Sequence, residues 1–382
     1  MKQLGQYFTT DSSLQNKVRE FVRDPVGSIL EPSAGEGDLV RVLNTAFPNN
    51  TVVSYEIDKR LVFHDKRMCD PWHNEDFLNA QIPLFNTVVA NPPFVKSKHG
   101  NLYVAFIKKC FDTLSNGGQM VFIIPSDFFK LTQASSLLTD MCSVGSFTDI
   151  YWPHDESLFT GASIDVLVFR YEKGAAIGKT CLNDEPYNVV CSNGVVTFTP
   201  EQDGSSEMVS LGDMCSVHVG LVTGRESVFK TDIGNIELLV GEATRERYIL
   251  VHAIEEEPNT ELVAHLEAHK AELMNRRIRK FTDDNWFEWG ALRNHKVMVD
   301  NEGDECIYVR TLTRETRVCF KGHVELYGGG LLMILPKKRI DLDALVEYIN
   351  SLALRQQFMH AGRFKIGQRH LCNLQVPSSV AI

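Results

Sequence analysis

Short apolar runs alternate with helical apolar stripes along the first 170 residues. Apolar residues at helical spacing, such as Leu14, Val18 and Phe21 after the capping Asp11, predict amphipathic helices between the runs. The last two runs have no long helix between them, which predicts an antiparallel pair at one end of the sheet. Together the pattern predicts a Rossmann-like α/β fold with a mostly parallel, seven-stranded sheet. Runs typical of buried strands include residues 28–31, 51–55, 87–90, 119–125, 147–152 and 164–169.

The rhythm of strands and helices changes near residue 172. Residues 173–209 carry clusters of Gly, Asn, Asp, Pro and Ser around short β-like runs, which predicts a linker with a hairpin. From residue 210 to residue 382 the chain restarts as a second, α+β domain without the earlier rhythm. We therefore predict a first domain at 1–172, a linker at 173–209 and a second domain at 210–382.

The composition argues against several classes of protein. The 382 residues carry a net charge of −10, which disfavours bulk non-specific binding of nucleic acid. That charge is uneven, at −8 over residues 1–209 and −2 over the rest, where the basic residues are clustered. The nine cysteines form no C-x-x-C pair, which argues against a zinc site and for a reduced, cytoplasmic protein. We expect no membrane segment and no secretory signal.

The most informative stretch is Asn91-Pro92-Pro93-Phe94, directly after the apolar run that ends at Ala90. Two prolines stop a strand abruptly and hold the following backbone extended and rigid. The carboxyl ends of parallel strands are where α/β sheets bind ligands. The Asn91 side-chain oxygen and the Pro92 carbonyl could therefore face a planar NH2 group and accept both of its hydrogens. Phe94 offers an apolar face on which a base could stack. A simple strand-closing turn is the alternative.

Other polar residues follow the neighbouring strands. Gly35 and Gly37 form a turn between a strand and a helix, without the full G-x-G-x-x-G fingerprint of a diphosphate site. Glu56 lies about 20 residues further on, where Rossmann-type folds place a carboxylate for ribose hydroxyls. Asp76 and Phe77 follow the third strand and could hold an adenine ring. Each of these residues could also be an ordinary surface or core position.

Five motifs follow one another along the first part of the chain. They are Gln6-Tyr7-Phe8-Thr9, Glu31-Pro32-Ser33-Ala34-Gly35-Glu36-Gly37, Tyr55-Glu56-Ile57-Asp58, Asp76-Phe77 and Asn91-Pro92-Pro93-Phe94. In this order they resemble the motifs of the gamma-class adenine-N6 DNA methyltransferases of restriction–modification systems. In the second half, the run from Val219 to Gly224 and the stretch from Lys365 to Gly367 are similar to landmarks of the target-recognition domain that ends such chains.

The resemblance implies S-adenosyl-L-methionine as the cofactor and a flipped-out adenine in duplex DNA as the substrate. It assigns Asn91, Pro92, Pro93 and Phe94 to catalysis, and Phe94 with Phe159 to stacking on the target base. The cofactor would contact residues from five motifs. These residues are Tyr7, Thr9, Glu31, Ser33, Gly35, Glu56, Ile57, Asp76, Phe77 and Asn91. Phe94 departs from the tyrosine found in many relatives, which keeps stacking but removes a hydroxyl.

The DNA contacts are expected in the basic clusters of the second domain. The candidates are Arg225, Arg276, Arg277, Lys365 and Arg369. The resemblance further implies a cytoplasmic enzyme of a bacterium or phage, with a cognate restriction endonuclease as a partner on the same DNA site.

Two other functions stay open on the sequence. The same loop occurs in methyltransferases of ribosomal RNA bases and of a glutamine side chain, because these also methylate a planar NH2. A non-catalytic DNA-specificity subunit with a vestigial Rossmann domain is the third possibility. The basic and aromatic clusters of the second half favour DNA over RNA or a glutamine side chain as the substrate. The intact acceptor loop and Glu56 weigh against a non-catalytic subunit.

Overall fold

The computed structural model describes residues 7–61, 71–97, 100–159, 163–201, 208–360 and 362–380. Gln6 of the first motif lies outside these ranges. The chain divides into two compact units, the first formed by residues 1–205 with 359–362 and the second by residues 206–358 with 363–382. No helix within the described ranges is long and apolar enough to cross a bilayer.

The first unit is built on one large sheet with helices on both faces. Its helices are α1 (Ser12–Phe21), α2 (Asp38–Ala46), α3 (Leu102–Asp112) and α4 (Ser135–Val144). Its strands are β1 (Ile29–Glu31), β2 (Val52–Tyr55), β3 (Trp72–His73), β4 (Phe85–Ala90), β5 (Lys96–Ser97), β6 (Gly100–Asn101), β7 (Leu114–Pro125), β8 (Gly145–Tyr151), β9 (Val166–Lys173), β10 (Lys179–Leu182), β11 (Glu185–Ser192) and β12 (Val195–Pro200).

The strand order of the main sheet confirms the predicted Rossmann-like fold. The order is β12-β11-β10-β8-β9-β7-β4-β1-β2-β3. Strands β3, β2, β1, β4 and β7 run parallel, and β9 pairs antiparallel with both β7 and β8, as the missing helix between the last two runs predicted. The direction of winding reverses between β1 and β4, so the cleft of an α/β sheet is expected at their carboxyl ends.

The segment predicted as a linker extends this sheet. β10 pairs parallel with β8, and β11 forms antiparallel ladders with β10 and β12. The seven predicted strands therefore become ten, and residues 173–209 do not act as a free connection over 179–200. The polar turn residues that suggested a linker occupy the tight turns, where Asn183 and Asn193 adopt positive φ angles.

Alternation along the central strands divides the apolar side chains between the two faces. Val89, Val121 and Ile123 pack with the apolar stripes of α1 and α2. Val88, Met120 and Phe122 point the other way, into a larger cluster with α3 and α4. Because both faces are covered, the strands read as nearly continuous apolar runs.

The second unit mixes helices with small antiparallel sheets, as the predicted α+β class requires. Its helices are α5 (Leu211–Met214), α6 (Glu226–Phe229), α7 (Thr260–Ala268), α8 (Lys270–Met274), α9 (His295–Asp300), α10 (Leu342–Asn350), α11 (Leu352–Gln357) and α12 (Gln368–Cys372). Its strands are β13 (Met208–Ser210), β14 (Cys215–Val219), β15 (Ile236–Gly241), β16 (Thr244–Tyr248), β17 (Glu305–Arg310), β18 (Leu312–Thr313), β19 (Cys319–His323), β20 (Leu331–Pro336), β22 (Arg363–Lys365) and β23 (Gln375–Pro377), whereas β21 (Met359–His360) belongs to the residues of the first unit. The main sheet of the second unit has the order β14-β20-β17-β19, β15 and β16 form a hairpin, and β13 pairs with β23.

Phe169 on β9 gives a test of the first unit's packing. Its ring is fully buried and lies 5.7 Å from the parallel ring of Phe122 and 5.3 Å from the perpendicular ring of Phe147. We expect Phe169→Ala to lower the free energy of unfolding by about 3–5 kcal/mol through the cavity it leaves. The control, Leu84→Ala at a site that is 67% exposed, should change it by less than about 0.5 kcal/mol. Equal denaturant midpoints for the two variants would contradict this packing.

Candidate active site

A cleft opens at the carboxyl edge of the main sheet. Its walls come from the segments that follow β1, β2, β3 and β4, together with the first turn of α3 and the amino-terminal segment. The lining residues are Tyr7, Phe8, Pro32, Ser33, Gly35, Glu56, Ile57, Glu75, Asp76, Phe77, Leu78, Asn91, Pro93, Leu102 and Phe106. The motifs, which extend from Gln6 to Phe94 in the sequence, thus meet at one edge because their strands are parallel neighbours.

The amide of Asn91 has a defined orientation. Its nitrogen Nδ2 donates one hydrogen bond of 2.7 Å to the backbone carbonyl of Tyr7 and another of 2.9 Å to Oγ1 of Thr9. Both hydrogens of the amide are therefore used. Its oxygen Oδ1 is buried and has no hydrogen-bond partner. Since a buried acceptor without a partner costs about 1–3 kcal/mol, this oxygen is a candidate for binding a donor on a ligand.

A second unpaired acceptor lies on the neighbouring strand. Glu31 ends β1 and is buried, and its Oε1 contacts the backbone nitrogen and the hydroxyl of Ser33 at 3.3 Å. Its other oxygen, Oε2, has no partner. Burial, with the Glu56 carboxylate nearby, raises the pKa of Glu31 well above its usual value. The Ser33 hydroxyl also lies 3.2 Å from the backbone oxygen of Asn91, which links the two strand ends.

Glu56 is held by the backbone on both sides. The backbone N–H groups of Gly35 and Asp58 each donate to one of its oxygens at 2.8 Å. Gly35 adopts a φ of +56°, and a Cβ there would lie 3.2 Å from the ring of Phe8, so a side chain would crowd this wall. Beside Glu56, Ile57 exposes 53% of its surface although it is apolar. An exposed aliphatic side chain next to a fixed carboxylate suits a ligand with one flat apolar part and one hydroxylated part.

The turn after β3 is held in place by α3. Lys109 donates from Nζ to the carbonyls of Phe77 at 2.5 Å, Leu78 at 3.1 Å and Ala80 at 2.5 Å. Burial lowers the pKa of this lysine. Asp76 accepts from the backbone nitrogen of Leu78 and from the Asn79 amide, so its carboxylate is anchored at the wall of the cleft.

Three aromatic rings meet beside Asn91. Phe94 and Phe159, the predicted stacking pair, lie 6.0 Å apart at an angle of 74°. The ring of Tyr7 contacts both, at 5.5 Å from Phe94 in a stacked arrangement and at 5.7 Å from Phe159. The two phenylalanines, each of which is predicted to stack on the target base, are thus neighbours, but their rings are not parallel and Tyr7 lies against each of them.

The segment that carries Phe159 is anchored at both ends by a buried carboxylate. Asp165 accepts from Nε1 of Trp152 at 3.1 Å and from the hydroxyl of Ser126 at 2.5 Å. Asp165 and Ser126 are also joined by a backbone hydrogen bond of 3.0 Å. This network ties the end of β8, the start of β9 and the end of β7 together, and no sequence motif had indicated it.

The structure brings most of the predicted cofactor residues to the cleft wall. Thr9 and Glu31 lie beneath that wall, and Pro92 is buried and does not line the cleft. Four lining residues lie outside the motifs. Glu75 and Leu78 flank the predicted Asp76 and Phe77 in the sequence, whereas Leu102 and Phe106 lie on α3. These two are four residues apart on α3 and therefore share a helix face, which is a pattern that a search for the cleft could have used.

In the second unit, the predicted DNA-contacting residues have different environments. Arg276 is buried, and its guanidinium donates to the carbonyls of Leu273, Thr223 and Trp286. Its expected role in phosphate binding is therefore wrong, because every nitrogen of the guanidinium is engaged inside the unit. Arg277, in contrast, is exposed and makes no ion pair within the described ranges.

The other three candidates stay near the surface of the second unit. Lys365 is exposed, Arg225 pairs with Glu272, and Arg369 is half-buried. Arg225 also lines a second, wider cleft, which lies entirely within this unit and is bordered by Gly224 and Gly328.

Comparison with known proteins agrees with the motifs. Residues 64–151 match the Eco57I restriction-modification methylase family. The type II methyltransferase M.HincII of Haemophilus influenzae is 28% identical over 198 residues, which are 46% of this chain and 38% of that protein. The modification methylase CviBIII of Paramecium bursaria Chlorella virus NC1A is 31% identical over 140 residues, covering 31% of this chain and 37% of that protein.

Over nearly half its length, the chain is similar to restriction–modification methyltransferases. The resemblance predicted from the motifs is thereby confirmed. The chain spans less than two-fifths of the length of these two relatives. Among solved structures, the M protein of the type I restriction enzyme EcoKI aligns with a TM-score of 0.37 at 14% identity, covering 44% of each chain. This structural likeness is weak and adds nothing to the sequence comparison.

The burial of Glu31 predicts how stability changes with pH. Its raised pKa means that the unfolded chain ionises first as the pH rises above the usual value of 4.5, so the folded state loses stability from there up to the folded pKa. Glu31→Gln removes this ionisation and should flatten the profile. Denaturant midpoints of both proteins between pH 4 and pH 8 measure the difference. Parallel profiles would show that Glu31 is not the group responsible.

Proposed function

We propose that the protein transfers a methyl group from S-adenosylmethionine to the N6 amine of a flipped-out adenine in duplex DNA. The observation that carries the proposal is the amide of Asn91, whose donors are occupied and whose acceptor is buried and unpaired. An acceptor held in this way suits an exocyclic NH2 group, which brings two hydrogens and no strong acceptor of its own.

The cleft fits the proposed cofactor. S-adenosylmethionine supplies an activated methyl group when bound, and it carries positive charge at both its sulfonium and its ammonium group. Glu31, Glu56, Glu75 and Asp76 all lie in or directly beneath the wall of the cleft. The unpaired Oε2 of Glu31 would accept from the ammonium group, Glu56 would hold the ribose hydroxyls, and Ile57 would pack on the adenine ring. Asp76 and Phe77 would hold the edge of that adenine, while Ser33 and Gly35 would line the amino-acid part.

Asn91 and Pro92 would orient the substrate amine without taking its proton. An amide oxygen and a backbone carbonyl are acceptors that do not titrate at neutral pH. Held at both hydrogens, the amine can direct its lone pair towards the cleft as positive charge builds on nitrogen. The proton then leaves the methylated amine for solvent. Pro92 and Pro93 stiffen the loop, so that little reorganisation of these acceptors is needed.

Phe94 and Phe159 would stack on the target adenine. Because their rings now meet edge to face with Tyr7 against both, a base can enter only if these rings separate. Stacking on aromatic rings is worth about 1–3 kcal/mol per base, which offsets part of the few kcal/mol required to unstack a base from the duplex.

The second unit would bind the duplex and read its sequence. Arg277 and Lys280 are exposed on either side of Ile278, which itself exposes 40% of its surface. Ile278 packs on Gly224 and Gly290, where a Cβ would lie 3.0 and 2.8 Å from its side chain. This surface therefore presents two cations around an apolar tip, a combination that suits phosphates and a base or sugar edge. Arg225, Lys365 and Arg369 are further candidates for phosphate contacts.

Tritiated S-adenosylmethionine separates the substrate classes. We expect label to enter duplex DNA, and enzymatic digestion of that DNA should yield N6-methyl-2′-deoxyadenosine. Label in ribosomal RNA or in a release factor would instead mean that the same chemistry acts on an NH2 group of that substrate. DNA that this protein has methylated should resist cleavage by a cognate restriction endonuclease.

Asn91→Ala tests the proposed role of the loop. Loss of one preorganised polar group at a reacting atom lowers kcat by about 10²–10³-fold, and we expect a loss of that size here. The measurement is single-turnover methylation of DNA with saturating cofactor, with cofactor affinity followed by calorimetry.

The matched control is Asn50→Ala. The Asn50 amide likewise donates two hydrogen bonds, here to the backbone carbonyls of Pro25 and Gly27, but it precedes β2 at the opposite edge of the sheet. This variant should keep its methylation rate. If Asn91→Ala stays folded and keeps near-wild-type activity, the proposed chemistry of the loop is wrong.

Two adjacent arginines in the second unit should behave in opposite ways. Arg277→Ala should lower the slope of log affinity against log salt concentration by about 0.9, since one phosphate contact is lost, without changing thermal stability. Arg276→Ala should instead destabilise the second unit by about 2–3 kcal/mol, because it removes buried charged hydrogen bonds. Binding titrations on mixed-sequence duplex DNA and thermal unfolding measure the two effects. An unchanged salt slope for Arg277→Ala would remove this residue from the proposed surface.

A further inference from the structure

We propose that Thr9 is a positioning residue for the reaction, acting through Asn91 and not through the cofactor. The inference rests on the proposed function and assigns to one hydroxyl the task of holding the Asn91 amide in the position where its oxygen faces the substrate amine. The resemblance had placed Thr9 among the residues that contact the cofactor, whereas its hydroxyl contacts the Asn91 amide.

Thr9 lies beneath the wall of the cleft. It is 3% exposed and is absent from the residues that line the cleft, whereas its neighbours Tyr7 and Phe8 are among them. Its Oγ1 accepts from Nδ2 of Asn91 at 2.9 Å. Its backbone carbonyl accepts from Nε2 of Gln15 at 2.6 Å, which ties the segment to α1. The position of the Thr9 hydroxyl is therefore fixed by its hydrogen bond with Asn91 and by the hydrogen bond between its own backbone and Gln15.

The carbonyl of Tyr7 decides the orientation of the amide, because a carbonyl can only accept, whereas the Thr9 hydroxyl can donate to Oδ1 as well as accept from Nδ2. If the Asn91 amide turned by 180°, its oxygen would meet the carbonyl of Tyr7, and two acceptors without a hydrogen between them repel. The NH2 group would then face the cleft, where it would oppose the hydrogens of a substrate amine. With the amide as it stands, Oδ1 remains the buried, unpaired acceptor on the reacting side.

The two partners of Nδ2 therefore have different tasks. The Tyr7 carbonyl selects the orientation of the amide, and the Thr9 hydroxyl satisfies the second hydrogen and fixes the position of the amide plane. Without the hydroxyl, one hydrogen is left without a partner in a buried site, and the amide is held less firmly in the position where its oxygen faces the substrate. Since the amide must face the substrate correctly only in the reacting complex, the loss should appear in kcat and leave cofactor affinity unchanged.

Thr9→Val and Thr9→Ser test the inference in the full-length protein. Valine keeps the shape and removes the acceptor, so we expect kcat for DNA methylation to fall about 10-fold with an unchanged dissociation constant for S-adenosylmethionine. Serine keeps the hydroxyl and should restore kcat to within about 2-fold of wild type. Thr9→Cys, with its weaker acceptor, should fall between the two and replaces the valine variant if that protein does not fold.

The matched control is Thr87→Val. Thr87 is a buried threonine on β4, and its Oγ1 likewise accepts from a side-chain amide, Nε2 of Gln119 at 3.3 Å, at a site that does not line the cleft. Any effect of losing a buried hydroxyl on stability should appear in both valine variants, whereas the fall in kcat should appear in Thr9→Val alone.

Three results would overturn the inference. They are wild-type kcat in Thr9→Val, equal impairment of the serine and valine variants, and a fall in activity matched by an equal loss of cofactor affinity. Measuring Asn91→Ala in the same experiment separates the inference about Thr9 from the proposed function. If that variant is inactive while Thr9→Val is not impaired, only the role of Thr9 fails, and if Asn91→Ala is active, the proposed function fails first.

Discussion

The site depends on the pair of hydrogen bonds that the Asn91 amide nitrogen donates to Tyr7 and Thr9. These bonds join the carboxyl end of β4 to a segment 82 residues earlier in the chain, which α1 and its cap at Asp11 hold in place. They turn a flexible polar side chain into a directed acceptor. The neighbouring prolines restrict the backbone, and the hydrogen bonds restrict the side chain, so both parts of the loop are preorganised.

Two unpaired acceptors at one strand edge are costly for folding. Glu31 Oε2 and Asn91 Oδ1 are both buried without partners, and each such group costs about 1–3 kcal/mol. The large core beneath the sheet, with Phe169 and its neighbouring rings, supplies the stability that tolerates them. A ligand that brings a cationic amine to one acceptor and an aromatic amine to the other would recover this free energy on binding. The same groups that weaken the fold are thus the ones that suit the proposed cofactor and substrate.

The second unit shows how adjacent residues of one type can have opposite roles. Arg276 and Arg277 stand side by side in a basic run, yet the first supports the interior through three carbonyls and the second faces solvent. Charge along the sequence therefore located the cluster but not the member able to reach a phosphate. The same holds for Arg225, whose pairing with Glu272 reduces its availability.

The sequence alone determined the Rossmann-like class, the order of the motifs and the position of the Asn91 loop. These features are local, because apolar periodicity, glycine turns and proline pairs act within a few residues. The tertiary structure decided which residues meet. In the structure, β10–β12 join the main sheet and Arg276 is buried. Tyr7 packs against Phe94 and Phe159, and the Thr9 hydroxyl accepts a hydrogen bond from Asn91. Such contacts join distant segments through strand order and side-chain direction, and a one-dimensional pattern does not encode either of these at the scale of a single hydrogen bond.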